Sequence, residues 1–65
     1  MNDSLLMKST RKDLGLSQKK MAQKMGYSNQ STVSLIETGE RGLSSIARTF
    51  LNYIRENERH IRFTR

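Results

Sequence analysis

The 65-residue chain contains no cysteine. That excludes disulfide staples and thiolate metal sites, and it suits a reducing cytosol. The single histidine, His60, has no second His or Cys with which to hold a metal, so no metal and no cofactor is expected. Acidic residues number only six. None is paired at a useful spacing on a helix face except Glu56 and Glu58 near the end, so no catalytic constellation is visible. Gly39-Glu40-Arg41-Gly42 is too short to be a phosphate-cradling loop. No apolar run approaches the ~20 residues of a membrane span, and the first residues lack the apolar segment of a signal peptide. The expectation is a cytoplasmic protein that is not an enzyme and has no membrane partner.

What the chain does have is positive charge. Twelve Lys and Arg against six acids give a net charge of +6 and a pI near 10.4. Such a balance favours a polyanion, because it steers association and supplies phosphate contacts. The cations form no low-complexity run; they are spread over segments that should fold, with a denser group at the end. Sixty-five residues make one domain, residues 1–65, near the lower limit of what folds alone. With only 34% apolar residues, the core must be used efficiently or shared with a second copy, and a homodimer is expected.

The chain is organised around Leu16–Gly39. Ser17 can accept a bond from an orphan N–H and start a helix over about 18–25. Met21, Ala22 and Met25 give that helix an apolar face, and Gly26 can take the left-handed conformation that ends it. After Tyr27 and Ser28, Asn29 and Ser31 are both good caps for a second short helix, about 30–38. Val33 and Ile36 would be its buried side, and Gly39 would close it. Two short helices in a tight turn within a basic chain are a helix-turn-helix signature, with its core at about 17–38.

Before this unit, a helix over about 5–14 follows a cap at Asp3 or Ser4. Leu5, Leu6, Met7 and Leu14 are its apolar residues, Thr10 lies on the face joining Met7 to Leu14, and Gly15 ends it. After the unit, Ser44 or Ser45 caps a helix over about 45–57 with the stripe Ile46, Ala47, Phe50, Leu51 and Ile54, and Tyr53 at one edge. This stripe closes the monomer core or serves in part as a dimer surface. The tail alternates polar and apolar over His60-Ile61-Arg62-Phe63-Thr64, which suits a short strand. Such a strand would pair with its twin, or Ile61 and Phe63 would fold back on the core. Its arginines at 55, 59, 62 and 65 are candidates to reach DNA. The predicted dimerisation residues are therefore Phe50, Tyr53, Ile54, Ile61 and Phe63.

On the second helix of the central unit, Gln30, Ser31, Ser34, Leu35 and Thr38 form one continuous outward stripe. It offers amides and hydroxyls that can bond base edges, and one exposed leucine that can meet a thymine methyl. It holds neither Lys nor Arg. Lys19 and Lys20 sit in the first turn of the preceding helix, where the dipole is already positive, a placement that a docked phosphate would explain.

The ordered set of markers resembles the small helix-turn-helix DNA-binding domains of the phage lambda-repressor and Cro type. The markers are Arg11, Gly15, Leu16-Ser17-Gln18, Met21-Ala22, Met25-Gly26, Val33-Ser34, Ile36-Glu37 and Gly39, and the match covers about Met7 to Ser45. The resemblance implies an all-α, compact bundle of four or five helices. It also implies a dimer acting on a two-fold symmetric operator as a transcriptional regulator, most often a repressor of its own promoter. It resembles regulators found in phages and mobile elements.

Position by position, the resemblance implies that Gln18 binds a phosphate and braces the first residue of the recognition helix. Ser17 and Lys19, at the same helix start, are further phosphate candidates on the residues themselves. Gln30, Ser31 and Leu35 fall where the family's phage repressors touch bases. The interval from Ser28 to Glu37 holds one residue more than the shortest family pattern. Placed in the turn it leaves those readers; placed in the helix it shifts them to Asn29, Gln30 and Ser34. Arg11 and Glu37 fall where the family often has a salt bridge, and Thr38, Arg41 and Ser44 would take phosphates on the far side. The expected partner is double-stranded DNA carrying an inverted repeat, with no small-molecule effector. The alternative is a DNA-binding antitoxin or accessory subunit whose tail binds a protein partner.

Overall fold

Residues that satisfy orphan backbone groups bracket each of the first three helices. Helix α1 spans Asp3–Leu14, α2 Gln18–Met25, α3 Ser31–Thr38 and α4 Ser45–Thr64. The computed structural model describes the backbone of residues 2–64 and the side chains of residues 2–57. Asn2 caps α1, its Oδ1 accepting the Leu5 N–H at 2.8 Å, and Ser17 caps α2 through the Lys20 N–H at 3.1 Å. Gly15, Gly26 and Gly39 end the three helices with φ of 70°, 79° and 87°. At Gly26 this lets the chain reverse at once from α2 into the turn, and its N–H bonds back to the Gln23 carbonyl at 3.2 Å.

α1 packs on α3 and α4, while α2 packs on α3. The core they enclose holds Leu6, Met7, Met21, Ala22, Val33, Ile36, Leu43 and Leu51, edged by Leu14, Leu16, Met25, Tyr27 and Ala47. Burying each larger side chain contributes roughly 1.5–3 kcal/mol, so in a chain this short no single position is spare. Leu51 is the anchor of α4, fully buried among residues of the other helices. Thr10 is fully buried too, and its hydroxyl has no hydrogen-bond partner.

α4 is tied to α1 by charge at both ends of their contact. Near the start of α4, the Asp3 carboxylate accepts the Leu43 N–H at 2.8 Å and a fork from Arg48 at 3.1–3.2 Å. These donors hold its pKa below the ordinary carboxylate value despite some desolvation, the Leu43 N–H being the largest influence. Further along, Arg55 donates to Ser9 Oγ at 2.8 Å and lies 3.7 Å from Asp13.

Several expectations are corrected. The cap of α1 is Asn2, and neither Asp3 nor Ser4 fills that role, because Asp3 is engaged by Leu43 and Arg48 and the Ser4 hydroxyl donates to the Glu37 carbonyl. Leu5 faces outward. The expected strand at 60–64 is helix instead, since α4 continues to Thr64. The segment after Ser45 contains neither Gly nor Pro and is rich in Arg and Glu, good helix formers, and an α-helix pairs its own backbone where a lone strand cannot. Ile54 is buried within the monomer, so it is not available for the dimer contact expected of it. Arg55 is held on α1 rather than offered to DNA. The side chains of Arg59, Ile61, Arg62, Phe63 and Arg65 lie outside the described residues. α2 ends at Met25 and α3 begins at Ser31, so residues 26–30 form the turn between them.

Candidate nucleic-acid interface

α3 has one inward and one outward face. Val33, Ile36 and Glu37 bury its inner side, which turns Ser31, Leu35 and Thr38 outward and leaves Ser34 half-buried. The inner side is locked electrostatically as well as by packing. Arg11 approaches the Glu37 carboxylate as a fork, Nε to Oε2 at 2.6 Å and Nη2 to Oε1 at 3.2 Å, and Arg11 Nη1 also donates to the Leu16 carbonyl at 3.0 Å. The pair therefore joins α1, the loop before α2 and the end of α3, three segments whose relative pose fixes the outward face. Its glutamate side chain is only 4% exposed.

Gln18 completes this lock. Its Nε2 donates to Glu37 Oε1 at 3.2 Å, where the resemblance implied a brace on Gln30. The departure has a plain cause: the buried carboxylate is the stronger acceptor within reach, and a charge-assisted bond outcompetes an amide–amide one. Gln18 thus fixes α2 to α3 through Glu37.

The outer residues fall into two groups. Lys19, Asn29 and Gln30 come together around a cavity of about 310 Å³ between α2 and the turn, with Ala22, Gln23, Tyr27 and Ser28 completing its wall. Gln23 and Ser28 were missed from the sequence; Gln23, four residues after Lys19 on α2, was legible from helical spacing, whereas no local signal marked Ser28. Tyr27 is packed against the core, and burial pushes its hydroxyl pKa up, with the Arg41 charge opposing the shift. Beyond α3, Arg41 borders a second cavity with Asn2, Asp3, Ser4, Gly39 and Gly42, and Ser44 caps α4 by accepting the Ala47 N–H at 3.1 Å.

Local bonds decide what each outer side chain can still do. Asn29 Oδ1 accepts both the Ser31 N–H at 3.0 Å and the Ser31 hydroxyl. Neither residue occupies the N-cap position of α3, which falls on Gln30, whose side chain makes no cap bond. The Thr38 hydroxyl lies 3.1 Å from the Leu35 carbonyl and 3.0 Å from Glu40 Oε2. An exposed acid thus lies beside the hydroxyl that the resemblance assigns to a phosphate.

Among the described residues no cluster of acids, histidines or cysteines is arranged to hold a metal, and no helix is long and apolar enough to cross a membrane. The fold and this face define a helix-turn-helix domain of the kind that binds duplex DNA. A helix-turn-helix family model matches residues 7–47, and the chain belongs to that family, the lambda-repressor/Cro type. It is a family of DNA-binding transcription regulators and not one of enzymes. No curated protein and no solved structure matches the chain.

Proposed function

We propose that the protein is a dimeric repressor that reads an inverted-repeat operator through α3 in the major groove, at its own promoter. The observation that carries this reading is the lock of Arg11, Gln18 and Glu37. It presets one uncharged face of α3 between cations on α2 and in the following loop. Gln30, Ser31, Ser34 and Leu35 face the bases, with Asn29 at the edge. Ser17, Lys19, Arg41 and Ser44 contact phosphates on either side and set the angle of entry. Repression follows by occlusion of polymerase.

The dimer reading rests on α4. Ile46, Phe50 and Tyr53, spaced i, i+4 and i+7, remain 83%, 38% and 66% exposed. With Ser45 and Thr49 they line an open groove of about 430 Å³ that carries no charged residue. On a chain of net charge +6, an uncharged apolar face is where a second copy approaches without repulsion. Two such stripes laid antiparallel across Phe50 present Ile46 to Tyr53 in both directions, the self-complementarity a two-fold interface requires. Two recognition helices then reach half-sites about one helical turn, ~34 Å, apart.

Selection of bound sequences from random duplex DNA at about 0.15 M salt tests the reading. An inverted repeat supports it. Binding with no motif, which vanishes as salt is added, reduces the charge to a generic attraction and directs attention to a protein partner for the α4 groove.

A further inference from the structure

The outward face of α3 differs from its surroundings in what it lacks. The commonest base-specific contact in the major groove is a bidentate Arg or Lys on guanine O6 and N7. Asn29, Gln30, Ser31, Ser34, Leu35 and Thr38 include neither. The cations that border the two cavities beside it belong to other elements: Lys19 to α2, and Arg41 to the loop after α3.

The bonds within this face narrow it further. Reading adenine with an amide requires its oxygen to accept from N6 while its nitrogen donates to N7. Asn29 cannot do both, because its oxygen already accepts twice from Ser31. The Ser31 proton is used in the same contact, and the Thr38 hydroxyl is engaged by the Leu35 carbonyl and Glu40. Gln30 alone keeps an exposed amide with no cap bond to make. At the opposite edge of the stripe, Leu35 is 38% exposed. It has no polar atom for a base edge and suits only the thymine C5-methyl. Ser31 and Ser34 can bond any base and discriminate weakly.

Resting on the reading that α3 enters the major groove, we propose that each half-site is recognised through two A·T pairs. Gln30 takes an adenine, Leu35 takes a thymine methyl, and α3 makes no guanine-specific contact. The two residues are five apart, about 7.5 Å of helix rise, so their bases lie about two steps of 3.4 Å apart.

The test uses the duplex recovered by selection, with one thymine at a time replaced by uracil and one adenine at a time by 7-deazaadenine. Uracil at one thymine per half-site should weaken wild-type binding about three- to fivefold, the worth of one buried methyl. The Leu35→Ala protein should be indifferent to the same replacement. Deaza substitution of one adenine about two pairs away removes the N7 acceptor alone, so it should weaken wild-type binding about 2- to 12-fold, the worth of one hydrogen bond, and leave Gln30→Ala unaffected. Both side chains are exposed, and circular dichroism of each variant checks that the fold is intact. A recovered repeat whose α3 contacts are G·C pairs dependent on Arg41 or Lys19 overturns the proposal while leaving sequence-specific binding in place. So does indifference of the wild type to uracil at every thymine. Recovery of no repeat overturns base reading itself and this proposal with it.

Discussion

Replacing Arg11 by alanine removes both contacts of its fork and leaves the Glu37 carboxylate, 4% exposed, with Gln18 and the protein interior for company. Breaking a buried pair from one side costs about 3–5 kcal/mol, because the surviving charge is left uncompensated. Arg11 is itself 17% exposed, so water relieves part of that charge and the lower end, about 3 kcal/mol, is the expected value. Against the roughly 0.05–0.15 kcal/mol per residue that stabilises ordinary domains, this is a large share of the total. At about 4–8 °C per kcal/mol it lowers Tm by roughly 12–24 °C. The double variant Arg11→Met/Glu37→Met should recover most of the loss, since a buried pair is often replaceable by apolar groups. Urea unfolding followed by circular dichroism measures both. A single-variant loss below about 1 kcal/mol, the range of exposed pairs, would mean that the pair is solvated and does not hold the fold. So would a double variant whose loss equals the sum of the two single ones.

Thr10→Val should stabilise the fold by about 1 kcal/mol, because it removes a buried hydroxyl that has no partner at nearly constant shape; thermal denaturation decides the sign. Asp3 has a folded pKa below its unfolded value of about 3.9. Its contribution is therefore fully present above that value and is lost as the pH falls through the folded pKa. Asp3→Asn should accordingly lower Tm at neutral pH, with a deficit that shrinks below about pH 4. Ile46→Glu should yield monomers in sedimentation equilibrium with an unchanged helical spectrum, because Ile46 is 83% exposed and adds little to the monomer core; an undisturbed dimer would move the interface elsewhere. Lys19→Gln should weaken binding to all sequences alike and reduce the salt slope by about 1 per protomer.

The parts of this fold that were legible in sequence are those governed by a residue's own neighbourhood. Ser17 caps because the free N–H groups of α2 lie next to it in the chain, and Gly15, Gly26 and Gly39 stop helices because their backbones tolerate a positive φ. The same local logic placed Val33 and Ile36 inside and Ser31 and Leu35 outside. The Arg11–Glu37 pair spans 26 positions, and periodicity had nothing to say about it; the resemblance of the whole marker set supplied it. Asp3 and Arg48, 45 apart, carried no such marker and were missed. On α4 the apolar stripe was wide enough for two roles, and only the seat of α1 against it decides that Leu51 and Ile54 are covered while Ile46 and Tyr53 are not. The alternation at 60–64 suggested a strand because two-residue spacing over five positions is too short to tell a strand from a helix.

The central claim is that α3, flanked by α2 and the loop after it, is the surface that meets DNA. The most direct measurement is a titration of the isotopically labelled protein with duplex DNA, followed by the backbone amide resonances. The largest shifts should fall at Ser17–Lys20, Asn29–Thr38 and Arg41–Ser44, with Lys8 and Lys12 of α1 little moved. Shifts spread evenly over every basic segment, α1 included, with no concentration on α3, would contradict it.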